Sequence, residues 1–166
     1  MSKRQADHSL LDNAKTKKKD EFYTQLIDIE KEMVHYTKHF KDKIIYCNCD
    51  NPEVSNFWKY FYDHFTELGL RELRATYFGE GASYCWYAGT QQTVTPLEGN
   101  GEFKSEECIN ILDGSDIIIT NPPFSLFRSY ISQLTEHNKD FLIISNIIAI
   151  TYKEVFPLIT ANKVWI

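Results

Sequence analysis

Apolar residues return at three- and four-residue steps from Leu26 through Ile29, Met33, Tyr36 and Phe40, which predicts a helix with one face packed on a larger body. A second stripe, Phe57, Trp58, Phe61, Phe65 and Leu68, ends at Gly69, a good helix stop. Between the two, "KIIYCNCD" is apolar until Asn48 and Asp50 and predicts a buried strand, with Pro52 closing the turn. "RELRATYF" predicts the next strand and runs into the glycine-flanked "GEGAS". From Tyr84 to Leu97, aromatic and polar residues alternate without helical period, so an insertion or a hairpin is expected. A short helix follows "GNGEF", with Ser105 as N-cap and Glu106 and Glu107 in its first turn. The strand "SDIIIT" then meets "NPPF", and a helix carrying Leu126, Phe127, Tyr130, Ile131 and Leu134 comes next. "FLIISN" predicts one more strand, followed by a short helix and the start of a strand at "KVWI".

Strands that are apolar throughout and alternate with helices describe a doubly wound α/β fold, its mostly parallel sheet covered by helices on both faces. With 166 residues, 43% of them hydrophobic and 14% aromatic, the chain buries one sizeable core in a single domain. No apolar run approaches the roughly 20 residues that span a bilayer, and the Lys-rich start lacks an apolar signal core, so a cytoplasmic location is expected. The sequence stops at Ile166 inside the last apolar segment, which reads as the front part of something longer. A sheet edge left unfinished there invites pairing with another chain.

The formal net charge of −5 does not favour nucleic-acid binding by itself, because phosphate contacts need local Lys and Arg. Positive charge is concentrated at the start, in Lys3, Arg4, Lys15, Lys17, Lys18 and Lys19, which leaves the remainder acidic. Residues 1–19 are therefore expected to form a basic flexible tail, solvated or gripping phosphate, ahead of a catalytic domain over 20–166. Cys47, Cys49, Cys85 and Cys108 lack paired CxxC spacing, so reduced thiols packed as small hydrophobes are expected and no metal site. On a strand Cys47 and Cys49 share a face, yet no other ligand converges on them by spacing.

"TNPPF" sits where the chemistry of an open α/β sheet is found, beyond the carboxyl end of a strand. Each proline fixes its own φ and biases the residue before it toward extended backbone, so Asn121-Pro122-Pro123 is a stiff turn. The Asn121 side-chain oxygen and the Pro122 carbonyl then form a rigid pair of acceptors beside the aromatic face of Phe124. A planar amine with two hydrogens suits such a pair. Adenine's exocyclic nitrogen is a poor nucleophile because its lone pair is delocalised, and drawing both hydrogens toward the two oxygens favours a pyramidal, reactive nitrogen. No strong base is needed if the electrophile is an activated methyl group, which points to S-adenosylmethionine. A base in a duplex must first be flipped out. The plainer alternative is that Pro-Pro only ends a strand and starts a helix.

Several segments together, "DEFYTQ" (Asp20 to Gln25), "YCNCDNP" (Tyr46 to Pro52), "GEFKSEECI" (Gly101 to Ile109), "NPPFSLFRSYI" (Asn121 to Ile131) and "AITYKEVFPLI" (Ala149 to Ile159), resemble the EcoRI-type adenine-specific DNA methyltransferases. The likeness covers nearly the whole chain after the tail, in the family's order. It implies a Rossmann-like S-adenosylmethionine-dependent methyltransferase fold, C-terminally incomplete and lacking the part that recognises the DNA target. It implies catalysis by Asn121, Pro122, Pro123 and Phe124, on double-stranded DNA with a flipped adenine. It also implies that Phe22, Tyr23 and Thr24 contact the methionine part of the cofactor and that Cys47, Asn48 and Asp50 line the cofactor turn. There the glycine-rich loop usual in amino-methyltransferases generally is replaced by Cys-Asn-Cys-Asp-Asn-Pro, which makes backbone contact less intimate. Glu102 and Phe103 occupy the place beside the cofactor adenine, and Glu80 is the candidate for the ribose hydroxyls.

Two other readings stay open from the residues. "NPP" with an aromatic also serves methyltransferases of RNA adenine or of a protein glutamine. A non-catalytic fragment could act through a partner chain at the unfinished edge. Neither GxxxxGK nor GxGxxG occurs, which argues against a P-loop or nicotinamide-dependent enzyme.

Overall fold

The computed structural model describes residues 24–166, so the tail and the candidates Phe22 and Tyr23 lie outside the described residues. Six strands form one sheet in the order β4-β3-β2-β1-β5-β6. These are β1 (Ile44–Cys47), β2 (Glu72–Thr76), β3 (Ser83–Tyr87), β4 (Gln92–Pro96), β5 (Ile117–Thr120) and β6 (Asp140–Ile143). β1 runs parallel to β2 and β5, and β5 parallel to β6, whereas β2, β3 and β4 pair antiparallel. The sheet is thus mixed and mostly parallel, and the Tyr84–Leu97 stretch is a hairpin at its edge.

β1 and β5 are buried at all four of their positions, which explains their unbroken apolar sequence: both faces are covered. Ile45, Cys47, Leu73, Ala75, Ile117 and Ile119 join one core with Phe57, Trp58, Phe61 and Phe65. Tyr46 and Ile118 point the other way, into a second core with Leu112, Tyr130 and Leu134. The first face is covered by α1 (Leu26–Met33), α2 (Thr37–Phe40), α3 (Asn56–Asp63) and α4 (Phe65–Leu68). The second is covered by α5 (Glu106–Asp113) and α6 (Phe127–Glu136). Each large side chain buried in this way contributes about 1.5–3 kcal/mol.

Each helical stripe of the sequence becomes two short helices. Tyr36 leaves helical backbone between α1 and α2, where His35 and Tyr36 make tight bonds to Glu32 and Met33 carbonyls. His64 divides α3 from α4, and Gly69 at φ +65° caps α4 in the left-handed conformation that glycine adopts without strain. Ser105 caps α5 as expected, its hydroxyl accepting from the Cys108 amide.

The expected strand at "KVWI" does not form. After the short α7 (Phe156–Thr160), Asn162 takes φ +58° and Lys163 bonds back to the Leu158 carbonyl, which turns residues 163–166 off the sheet. Trp165 and Ile166 are 76% and 80% exposed, and β6 is the edge strand on that side. The apolar strand expected to end the chain is therefore absent, and the edge open to pairing on that side, among the described residues, is β6 itself. Among the described residues no helix is long and apolar enough to cross a membrane, and no cluster of three metal-ligating side chains occurs.

Candidate active site

Chain order in the parallel part reverses between β1 and β5: β2 lies on one flank of β1 and β5, then β6, on the other. Such a switch point opens a crevice beyond the carboxyl ends of the two strands. Asn48 to Asp50 leave β1 there, and Asn121 to Pro123 leave β5 beside them.

A buried carboxylate joins the two turns. Asp50 accepts from the Ser55 hydroxyl at 2.7 Å and from the Thr120 hydroxyl, and the Asn121 backbone N–H also bonds to it. Its own amide donates to the Thr76 carbonyl at 3.1 Å, and the Cys49 amide donates to the Thr120 hydroxyl at the same distance. Burial pushes the Asp50 carboxyl up from 3.8 to about 6, opposed by the three donors. Ser55 is also the N-cap of α3, accepting from the Trp58 amide, so the hub fixes the start of that helix.

A second polar layer lies under the end of β1, on the face of Tyr46. The buried Asn48 Oδ1 accepts from the Tyr130 hydroxyl at 3.0 Å and from the Cys49 thiol at 3.2 Å, whereas Asn48 Nδ2 has no partner among the described residues. Tyr130 packs edge-on against Phe103, with ring centroids 5.2 Å apart. Tyr46 bonds to the Thr76 hydroxyl at 2.7 Å, which in turn donates to the Asn48 carbonyl. Cys47 and Cys49 do not share a face. Cys47 enters the first core and Cys49 packs against the second, because the strand ends at Cys47 and a turn breaks the alternation.

Asn121 is half-buried and Phe124, which opens a short 3-10 turn (Phe124–Leu126), is 43% exposed. The Pro123 carbonyl accepts from the Leu126 amide, while the Pro122 carbonyl has no hydrogen-bond partner among the described residues. Pro123 adopts φ −56° and ψ 125°, the extended geometry its ring favours. Thr24 is held at the start of α3, its carbonyl accepting from the Asn56 side chain at 2.8 Å, one residue beyond Ser55.

The structure thus gathers Thr24, Asn48, Asp50, Phe103 and Asn121 around one sheet margin. Glu80 and Glu102 are exposed, on two loops that meet where the Gly79 amide donates to the Asn100 carbonyl. Gly101 makes that meeting possible: at φ +74°, a Cβ there would lie 2.0 Å from the Tyr77 carbonyl oxygen. Sequence reasoning missed Ser55, Asn56, Thr120 and Tyr130. Ser55 was findable as a cap before the "NFW" stripe; the others act through contacts that no local pattern shows. A shallow cavity of about 320 Å³ runs along the outer side of α3, bordered by Val54, Lys59 and Tyr62, and does not include Asn121.

The family model described as adenine-specific methyltransferase EcoRI matches residues 10–95 and 87–166. The type II methyltransferase M.EcoRI of Escherichia coli is 46% identical, over 98% of this chain and 56% of the relative. The type II methyltransferases M.MgeORF184P of Mycoplasma genitalium and M.MpnI of Mycoplasma pneumoniae are 40% and 42% identical over 92% of this chain, covering 49% and 48% of their own lengths. The chain spans about half the length of the curated relatives it matches. No solved structure matches it. With its family model covering most of its length, the chain belongs to the EcoRI-type adenine-specific methyltransferase family.

Proposed function

We propose that this chain carries the cofactor and catalytic segments of a DNA methyltransferase that moves a methyl group from S-adenosylmethionine to the exocyclic N6 amine of adenine, on a Rossmann-like sheet. The observation that supports it most is the placement of the Asn-Pro-Pro turn beside Asp50 at the switch point between β1 and β5. The family match and the names of the three relatives agree with it.

The residues present fit the cofactor. A buried amide donor without a partner among the described residues, Asn48 Nδ2, stands at the end of β1, near an aromatic wall of Phe103 and Tyr130. Asn48 and Thr24 are the groups that would hold the cofactor, with Asp50 fixing the turn after β1 through its own three bonds, Cys47 behind them in the core, Glu80 and Glu102 on the neighbouring loops and Phe22 and Tyr23 preceding Thr24. S-adenosylmethionine supplies a methyl group on a positively charged sulfur, already activated for transfer.

This chain's residues do the rest by placement. Asn121 Oδ1 and the Pro122 carbonyl accept the two hydrogens of the target amine, holding its lone pair toward the methyl group. Pro122 and Pro123 keep the acceptors from swinging, and the exposed ring of Phe124 stacks on the flipped base. Neutral acceptors suffice because the proton would leave to water only after the new bond has made the nitrogen cationic and acidic. A labelled-methyl assay on DNA, RNA and protein acceptors, run with this chain and with a version extended to the relatives' length, tests the reading. DNA is the expected acceptor; methylated RNA or protein without methylated DNA rejects it.

A further inference from the structure

We infer that Asp50 is a positioning residue whose carboxylate ties the turn after β1 to the turn after β5, and so holds Asn121 in register with the cofactor turn. This rests on the methyltransferase reading for its purpose, though not for its geometry. Three donors from two separate turns end on this one side chain: the Ser55 hydroxyl, the Thr120 hydroxyl and the Asn121 backbone N–H. A carboxylate offers about four acceptor sites, so three bonds leave little for a ligand. Asp50 therefore acts on the reaction through Asn121 rather than by touching the reacting atoms.

The tie depends on charge. An ionised carboxylate accepts from all three donors, whereas a protonated one loses acceptor strength and gains a hydrogen that must find its own partner. The titratable groups packed around it are the Cys47 and Cys49 thiols and the Tyr130 hydroxyl from α6, all pushed upward by burial and therefore neutral in the working range. From α3 and β5 it meets only hydroxyls and the Asn121 amide, and no ion pair reaches it among the described residues. Its value of about 6 then puts the loosening of the turn within reach of mild acid.

The test is a pH titration by nuclear magnetic resonance that follows the Asp50 carboxyl carbon and the Asn121 amide proton together. An amide bonded to a carboxylate shifts as the carboxylate protonates, so both signals are expected to move with one midpoint near 6. Asp50→Asn should abolish the Asn121 transition. Thr120→Val, which removes one donor, should raise the midpoint by about one pH unit, and Thr120→Ser should restore it. An Asn121 amide that ignores pH between 4 and 8, or that titrates unchanged in Asp50→Asn, overturns the tie, as does a Thr120→Val midpoint equal to that of the parent. Calorimetry with S-adenosylmethionine separates the two readings. A linked titration without saturable heat leaves the tie standing and removes its proposed purpose; heat without a linked titration does the reverse.

Discussion

The β1–β5 seam and the β3–β4 hairpin are parts of one sheet and solve opposite problems. The seam is parallel and dry, with "IIYC" beside "IIIT" and every residue buried. The hairpin is antiparallel and wet: β4 is exposed along its full length, and β3 buries only Cys85, with half-buried residues on either side. A strand covered on both faces has no side chain to spare for chemistry, so the seam's polar groups are displaced to its carboxyl ends, where the backbone needs partners. There Asp50, Thr120 and Asn121 satisfy one another across 70 residues of sequence. The hairpin has free side chains but no converging elements, and no candidate residue lies on it. Rigidity beneath a site, more than exposure of polar groups, is what distinguishes the two.

The sharpest way to break this contrast is at Asn121. Asn121→Ala removes a side-chain acceptor while leaving the backbone N–H that reaches Asp50, so that one tie should remain. On the proposed function, methyl transfer to DNA by the version extended to the relatives' length should fall roughly 10²–10³-fold, the size seen when one preorganised polar group is removed from a reacting centre. A rate within about threefold of the parent would move the chemistry elsewhere.

The seam should also reveal itself in stability against pH. Folding raises the Asp50 carboxyl from 3.8 to about 6, so the folded state holds the proton more tightly than the unfolded chain. The stabilisation linked to that proton is complete below pH 4 and is lost as pH rises through about 6. It amounts to about 3 kcal/mol. Denaturant midpoints measured from pH 4 to 7 in the parent and in Asp50→Asn should diverge by about that amount, the parent losing stability relative to the variant as pH rises. Parallel curves would mean that Asp50 titrates as an ordinary carboxyl. The group inferred to order the Asn121 turn when ionised is thus costly to the fold in the same state.

The joint between the two regions comes next in size. Gly101 passes beneath Tyr77 in a conformation that favours glycine, with no room for a methyl group against a backbone oxygen. Gly101→Ala should cost at least about 2 kcal/mol, seen as an earlier denaturant midpoint, because both the backbone and its neighbour must shift.

Much of this was readable along the chain, for reasons that are local. Apolar runs marked β1 and β5 because burial on both faces leaves no polar period, Ser105 announced a helix through its own capping chemistry, and Pro-Pro fixed a turn whatever surrounded it. What failed was tertiary. The stripes at Leu26–Phe40 and Phe57–Leu68 kept helical spacing through the breaks at Tyr36 and His64, since the core needs the apolar face but not a continuous helix. Strand alternation placed Cys47 and Cys49 together until the turn at Asn48 separated them. Tyr130 read as one more apolar helical position, yet its hydroxyl bonds to a residue 82 positions away.

The smallest effect belongs to the hairpin. Val94 is 62% exposed in the middle of β4, with Cys85 as its cross-strand neighbour. Val94→Lys gives up some β propensity but exchanges exposed apolar surface for a solvated charge on an edge strand, a substitution that edge strands tolerate and that discourages pairing with other chains. Stability should therefore change by no more than about 0.5 kcal/mol. S-adenosylmethionine affinity should stay that of the parent, because no atom of β4 reaches the strand ends where Asp50 and Asn121 meet. A loss of affinity in this variant would make the hairpin a wall of the site and erase the distinction between the two halves of the sheet; unchanged affinity alongside a pH-dependent Asn121 would confine function to the parallel seam.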